Sequence, residues 1–162
     1  MKGNEMISYS TLKKEDVEAL TQIMTRAFDE DSKIHLGKER GGPLGYDTGD
    51  FLMKWGLHKD SSTYKIYYKK ELIGGIILWI KEDGNNSLGC MFIDPKIENM
   101  GIGTRVWSLV EHNYPNTKKW RTETPGFSKR NHNFYVNKCG FKIVEIKYPG
   151  VNEFIFWKKK CR

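Results

Sequence analysis

The chain has 162 residues, of which 38% are hydrophobic and 13% aromatic, and it contains no low-complexity tract or internal repeat. This length suits a single domain with its own hydrophobic core over residues 1–162, and the composition argues against intrinsic disorder. The 27 basic and 20 acidic side chains give a formal net charge of +7. A positive surplus favours anionic partners such as a nucleic acid, an acidic membrane surface or a phosphorylated small molecule.

The cysteines and the chain ends narrow the class of protein further. Cys90, Cys139 and Cys161 are far apart and none has CxxC spacing, which argues against a disulfide framework and a zinc site. The histidines also lack metal-ligand spacing, so no metal is predicted. No apolar signal region opens the chain, and the longest apolar run, 76–80, is too short to cross a bilayer. We expect a cytoplasmic protein with no membrane partner and with flexible ends at 1–5 and 159–162.

The first half of the chain predicts a strand, a helix and a long loop. Alternation over 7–12 indicates a short strand, and apolar residues three or four apart predict a helix from Val17 to Phe28. Several glycines interrupt residues 29–62, which we expect to form an irregular functional loop with a short second helix at 51–57.

The second half predicts most of a sheet. Three strands with short polar turns, at 63–68, 72–80 and 88–93, indicate an antiparallel meander. A helix at 101–113 connects the third of them to a parallel strand at 119–123 in a right-handed crossover. The remaining predicted elements are a helix at 128–138 and strands at 141–147 and 153–157. The predicted fold class is α+β, with a mixed, mainly antiparallel twisted sheet of about seven strands and helices on both faces.

The segment from Met91 to Arg105 carries the chemistry. A buried strand ends, the chain turns at Asp94-Pro95, and Gly101 and Gly103 open an amphipathic helix. Glycines let a ligand approach the backbone closely, and the unpaired amides of a helix start favour an anion such as a pyrophosphate. A P-loop needs Lys-Ser/Thr after the second glycine, and a dinucleotide fingerprint needs a third glycine where Val106 stands, so both fail.

The same segment resembles the coenzyme A loop of the GNAT (GCN5-related) N-acetyltransferases: a strand, Asp-Pro, then R/Q-x-x-G-x-G/A opening a helix. Here the loop is Glu98-Asn99-Met100-Gly101-Ile102-Gly103. The family's later tyrosine and Gly-Phe also occur at the right spacing, in Tyr135 and Gly140-Phe141, and the order of elements agrees from residue 6 to 158. Two substitutions depart from the pattern, Glu98 for the family's Arg or Gln and Ser128 for its usual Asn, and we expect Glu98 to point to solvent.

The resemblance implies site residues as well as a fold. Coenzyme A would lie in a split between strands 88–93 and 119–123, with Tyr135 as the acid that protonates the leaving thiolate. Glu123 is the candidate base for the amine, and a water chain is the alternative. The implied cofactor-binding residues are Met91, Phe92, Ile93, Asn99, Met100, Gly101, Ile102, Gly103, Thr104, Ser128 and Asn131.

The resemblance therefore implies transfer of an acetyl group from acetyl-CoA to a primary amine of a small molecule or peptide, by direct attack. The alternatives are a non-catalytic domain of the same fold that binds coenzyme A as a sensor or assembly module, and a nucleic-acid-binding module. The nucleic-acid hypothesis rests on net charge and exposed aromatic residues. It lacks a recognised binding motif and the lysines are scattered, so we predict no nucleic-acid partner. Residues 29–62 are expected to form the acceptor wall, where Asp29, Glu30, Asp31 and Glu39 attract a cationic amine and Tyr46, Phe51 and Trp55 pack its apolar part. Family members often form homodimers, so a homodimer is a further expectation.

Overall fold

The computed structural model describes residues 6–97, 100–147 and 153–159. The strands are β1 (Ile7–Thr11), β2 (Ser61–Tyr68), β3 (Glu71–Trp79), β4 (Asn85–Ile93), β5 (Lys119–Pro125), β6 (Lys142–Lys147) and β7 (Glu153–Lys159). The helices are α1 (Val17–Leu36), α2 (Ile102–Asn113) and α3 (Lys129–Asn133), and α3 continues into a π-helical turn at Phe134–Lys138. A further π-helical turn, Leu52–Gly56, occupies the place of the predicted second helix.

All seven strands form one sheet in the order β1-β2-β3-β4-β5-β7-β6. Every neighbouring pair is antiparallel except β4 and β5, which are parallel and are connected through α2. The predicted meander and the predicted parallel crossover are therefore confirmed, and so is the α+β fold class with a mixed, mainly antiparallel sheet.

The sheet carries a separate hydrophobic cluster on each face, because the strand at its centre is buried on both sides. Residues 73–78 of β3 are all buried. Ile76 and Leu78 pack in one cluster with Trp107 of α2 and Tyr135, whereas Ile77 packs in the other with Leu20 of α1. The helices thus cover both faces, as the sequence predicts.

Helix α1 is longer than predicted. The sequence places its end near Phe28, where the residues become polar and charged, but the helix continues to Leu36 and ends at Gly37 in the left-handed region with φ 66°. It continues because Asp31 and Ser32 are buried, at 8% and 3% exposure, and find polar partners inside the protein. The prediction of an irregular segment from residue 29 is wrong for these eight residues, and the extension brings the end of α1 to the site described below.

The loop after α1 folds back onto the helix. Asp29 accepts a hydrogen bond from the Tyr46 hydroxyl at 2.5 Å and another from the Gly41 amide at 3.0 Å. Tyr46 is buried and packs in the cluster beneath α1. These contacts fix the loop against the helix, so the Asp29 carboxylate has a structural role in holding the loop.

Some sequence predictions concern residues beyond this description. Residues 1–5, the turn at Pro149-Gly150 and residues 160–162 lie outside the described residues, whereas Lys159, placed in the flexible end by the sequence, is the last residue of β7. Among the residues that are described, no helix has both the length and the apolar character needed to cross a membrane.

Candidate functional site

Strands β4 and β5 separate after a short parallel contact. They pair over four residue pairs, of which the last joins Leu88 to Thr122. Beyond this point residues 89–93 continue along β3 and residues 123–125 continue along β7. Within the described part of the chain, residues 89–93 have no strand partner on the β5 side, so the split predicted between these two strands is present.

The open edge of β4 has at least one free donor near its end. The Asp94 amide donates to the Ile73 carbonyl of β3 at 2.7 Å. Consecutive amides of an extended strand face opposite edges, so the Ile93 amide faces the split. Ile93 is one of the residues that the family resemblance implies for cofactor binding.

Helix α2 begins beside this edge with an unusually open first turn. Gly101 adopts the left-handed conformation with φ 72°, and the first amide to bond inside the helix is that of Arg105, which donates to the Gly101 carbonyl. Among the described residues, no acceptor for the amides of residues 102–104 is present within the helix. A Cβ on Gly103 would lie 3.2 Å from the Phe134 ring, so glycine is what allows the helix start and Phe134 to approach.

A cleft of about 270 Å³ joins the split to the start of α2. Its walls come from the end of α1, the end of β4, the first turn of α2 and α3 with the turn that follows it. The lining residues are Ala27, Phe28, Asp31, Met91, Phe92, Ile93, Ile97, Gly101, Ile102, Gly103, Thr104, Arg130, Asn131, Asn133, Phe134 and Lys138.

Most of the predicted cofactor-binding residues meet in this cleft. The three β4 residues 91–93, the four residues 101–104 and Asn131 all line it. Met100 is 52% exposed and is not a lining residue. Asn99 and Glu98 lie outside the described residues, so their predicted roles stay predictions.

Ser128 is placed differently from the other predicted cofactor residues. Its side chain is fully buried, and its hydroxyl donates to Asp31 Oδ1 at 3.1 Å. It therefore connects the start of α3 to α1 from behind the cleft surface and does not line the cleft. Asn131 also bonds to another element, since its Nδ2 donates to Thr124 Oγ1 of β5 at 3.3 Å, but it lines the cleft.

Tyr135 lies at the base of the split, below the cleft surface. It is 7% exposed and packs against Phe134 and Phe141. Burial is the main cause that raises the pKa of its phenol above the ordinary value, the nearby Cys90 acts in the same direction, and hydrogen bonding with Thr122 opposes them. Because Thr122 ends the paired part of β5 and Cys90 lies in the open part of β4, the phenol sits where the two strands separate.

Glu123 lies on the other face of β5. Trp120 and Thr122 are buried on the helix side, whereas Glu123 is exposed. Its carboxylate pairs with Arg121 at 2.7 Å and with Lys147 at 3.4 Å, and it does not line the cleft. Its role as the base stays a prediction, although its position favours a surface ion-pair network.

The expected acceptor wall contributes little to the cleft. Of residues 29–62, only Asp31 is among the described lining residues. Tyr46 and Phe51 pack in the cluster beneath α1, and Trp55 contacts Trp79 instead. Sequence reasoning missed three apolar lining residues before α2 and four residues on or after α3. These are Ala27, Phe28, Ile97, Arg130, Asn133, Phe134 and Lys138. If the helical pattern is continued beyond residue 28, Asp31 falls on the same helix face as Ala27 and Phe28. This is the signal that could have identified that wall of the cleft.

The turn between β4 and α2 is held by a buried ion pair. Asp94 is 2% exposed, its Oδ2 pairs with Arg26 Nη2 of α1 at 2.7 Å, and its Oδ1 accepts from the Lys96 amide at 3.2 Å. Burial would raise the Asp94 pKa, but the hydrogen bonds from Arg26 and from the Lys96 amide outweigh it, and the pKa lies below its ordinary value. The pair thus fixes the loop that leads to α2.

We expect Arg26→Leu to lower the free energy of unfolding by about 1–2 kcal/mol at neutral pH, a value reduced because Arg26 is half exposed. Since the folded state lowers the Asp94 pKa, the stabilisation is present above the unfolded value of 3.8 and is lost as the pH falls through the lower folded value. Urea unfolding at neutral pH and below pH 3.8 measures the loss of stability and its dependence on pH. Arg26→Lys is the control that keeps the charge. A difference that is the same at both pH values would contradict the assignment.

Residues 17–141 match the acetyltransferase (GNAT) family. Solved structures agree in fold: an acetyltransferase from Thermus thermophilus has a TM-score of 0.77 at 13% identity, covering 96% of this chain and 97% of that one. The PaiA N-acetyltransferase of Thermoplasma acidophilum, solved with coenzyme A, has a TM-score of 0.73 at 20% identity, covering 95% and 99%. The spermidine N-acetyltransferase of Vibrio cholerae, solved with CoA and spermine, has a TM-score of 0.68 at 12% identity, covering 96% of each chain.

A curated relative is similar in sequence over part of its length. The uncharacterized protein YrkN of Bacillus subtilis is 46% identical over 84 residues, which is 51% of this chain and 45% of that protein. The match therefore spans less than half of that relative. Because the identities to the solved structures are low, those comparisons show the fold alone. Membership in the GNAT family is shown by the match over residues 17–141.

Proposed function

Because the chain belongs to the GNAT acetyltransferase family, we propose that it is an acetyl-CoA-dependent N-acetyltransferase acting on a primary amine of a small molecule or peptide. One observation carries the proposal most directly. The split between β4 and β5 opens into the same cleft as the glycine-rich start of α2, so one extended ligand could reach both.

The residues present fit coenzyme A at both of its ends. The free amides of residues 102–104 and the positive end of α2 suit the pyrophosphate, and Lys138 adds a positive charge to the lining. The open edge of β4, residues 89–93, offers main-chain partners to the amide groups of the pantetheine arm in the manner of an added strand. The apolar lining of Phe92 and Phe134 suits the arm between these polar groups.

The proposed reaction is direct attack of the neutral amine on the thioester carbonyl. The Ile93 amide, which faces the split, would stabilise the negative charge that develops on the carbonyl oxygen. The C–N bond forms first and gives a tetrahedral intermediate, whose collapse breaks the C–S bond. The leaving thiolate takes a proton from the Tyr135 phenol, the proton that the amine nitrogen releases passes to Glu123 or to a water chain, and solvent then reprotonates Tyr135. The position of Tyr135 where the two strands separate supports this role, and its raised pKa means that the phenol holds its proton through the physiological range.

Incubation with acetyl-CoA and a panel of amines tests the function. The panel contains a polyamine, an aminoglycoside, amino acids, an alkylamine and a peptide with a free N-terminus, and thiol release is the readout. We expect at least one amine to release thiol above the rate without amine, and calorimetry to detect coenzyme A binding. Binding without release for any amine would favour the sensor or assembly module, and absence of binding at millimolar ligand would contradict both hypotheses.

A cytoplasmic location and a homodimer belong to the same proposal. The location rests on the cysteine pattern, and the homodimer rests on the family resemblance. Sedimentation of the purified chain tests the homodimer directly. A sedimentation coefficient that stays at the monomer value over a wide range of protein concentration would contradict it.

A further inference from the structure

One acidic side chain faces the cleft. Among the described lining residues Asp31 is the single carboxylate, whereas Arg130 and Lys138 are cationic. It lies on the α1 side of the cleft with Ala27 and Phe28, away from the free amides of α2. The cleft therefore has two cationic lining residues and one carboxylate, which pairs with Arg130 and lies beside apolar groups of α1.

The contacts of Asp31 leave one of its oxygens open. Ser128 Oγ donates to Oδ1 at 3.1 Å, and Arg130 Nη2 and His35 Nε2 both lie 3.5 Å from the same oxygen. Within the described residues no hydrogen bond or ion pair to Oδ2 is present. A carboxylate that is 8% exposed is stabilised when its remaining lone pairs find a donor, and the cleft is where a donor can enter.

The position of Asp31 also suits the reaction centre. Its charge acts on the Tyr135 phenol, which lies where β4 and β5 separate. Two of the other acidic candidates are occupied elsewhere, since Asp29 accepts from Tyr46 and Gly41 and Glu123 pairs with Arg121 and Lys147. The remaining two, Glu30 and Glu39, are not among the described lining residues. Asp31 is thus the carboxylate that an amine approaching the split from the α1 side would meet.

We propose that Asp31 binds the ammonium group of the acceptor before transfer, and that it selects amines that are cationic at neutral pH and carry an apolar body. The ammonium hydrogens donate to Oδ2, while Ser128 and Arg130 hold Oδ1 and fix the plane of the carboxylate. The apolar part of the acceptor packs against Ala27 and Phe28. This inference rests on the proposed acetyltransferase function, and it names the substrate class of that same site.

The test compares two acceptors that differ in charge. Benzylamine is protonated at neutral pH and aniline is not, while both carry the same ring. We expect Asp31→Asn to lower kcat/KM for benzylamine at least about tenfold, mainly through KM, because the variant leaves a cation without its partner. The value for aniline should change less than about twofold. Asp31→Glu should restore part of the benzylamine rate, and Glu18→Gln, an exposed change of the same charge on α1, should leave both rates unchanged.

The ratio of the two rates within one variant separates recognition from structure. A loss of folding or of coenzyme A binding lowers both rates together, so equal losses for benzylamine and aniline would overturn the inference. Unchanged rates in Asp31→Asn would overturn it as well. If Glu123→Gln removes the preference for benzylamine and Asp31→Asn does not, the carboxylate is Glu123 and the inference is wrong.

A binding measurement distinguishes this inference from failure of the proposed function. Calorimetry on the chain loaded with coenzyme A needs no turnover, and it compares benzylamine with the uncharged benzyl alcohol. We expect Asp31→Asn to weaken benzylamine binding at least about tenfold and to leave benzyl alcohol binding within about twofold. Absence of benzylamine binding by the unmodified chain would overturn the inference, whereas binding without thiol release from any amine would contradict only the enzymatic function.

Discussion

Replacing Tyr135 with phenylalanine should lower kcat for acetyl transfer about a hundredfold to ten-thousandfold, the usual range for losing a general acid. The change removes one hydroxyl from a ring that is packed between Phe134 and Phe141, so the core around it should persist. KM for acetyl-CoA should change little, because Tyr135 does not line the cleft surface that would hold most of the ligand. Steady-state thiol release with the best amine of the panel measures both constants.

The direction of the Tyr135 pKa shift predicts how kcat and stability depend on pH. Burial raises the pKa of Tyr135 above its ordinary value of 10.0, so in the unmodified chain the phenol should remain a donor up to that pH and beyond. An alkaline decline of kcat below pH 10 would then belong to another group. Between the ordinary and the raised value the folded state holds the proton and the unfolded state releases it, so this group's contribution to stability falls as the pH rises through that window.

A matched phenol provides the control. Tyr114 is also partly buried, and its hydroxyl bonds with that of Tyr64 at 2.6 Å on the opposite side of α2 from the cleft. Tyr114→Phe should therefore leave kcat within about twofold while losing a hydrogen bond worth about 1 kcal/mol of stability. Undiminished turnover in Tyr135→Phe, or an equal loss in both variants, would remove Tyr135 from the reaction.

The elements whose residues repeat with a clear period could be predicted from the sequence. The continuous apolar run of β3 and the turns on either side of it are local signals, and the sheet places β3 as predicted, buried on both faces. The end of α1 could not be predicted in this way. Asp31 and Ser32 are polar residues that a helix normally exposes, and they are buried here because their partners, Ser128 and Gly41, come from distant parts of the chain.

The same limit applies to the candidate site. A motif of two glycines before a helix is local, and Gly101 and Gly103 lie in the cleft as the resemblance implies. The roles of side chains are not local, because they depend on which face of a strand or helix meets which neighbour. Glu123 ends up with Arg121 and Lys147, and Ser128 ends up behind the cleft, through packing that no pattern within either segment encodes.

Replacing Thr104 with aspartate should weaken coenzyme A binding about a hundredfold, or about 2.8 kcal/mol. Thr104 is the third residue of α2 and lines the cleft where the free amides converge. A carboxylate at this position would take the place of the pyrophosphate at the positive end of α2, and its negative charge would repel the ligand. The same carboxylate suits the positive end of a helix, so the free energy of unfolding without ligand should be unchanged or raised by up to about 1 kcal/mol.

The contrast with Thr104→Asn isolates charge from size, because asparagine and aspartate have nearly the same shape. Asparagine should leave the dissociation constant within about threefold, and the penalty for aspartate should shrink as salt screens the repulsion. Calorimetry with coenzyme A at low and high salt gives the dissociation constants and their salt dependence. Urea unfolding without ligand gives the free energy of unfolding. If both variants lose affinity equally, the loss comes from shape and the pyrophosphate binds elsewhere. If only aspartate does, the start of α2 is the anion site, and the same cleft leads from there to the open edge of β4, near Tyr135.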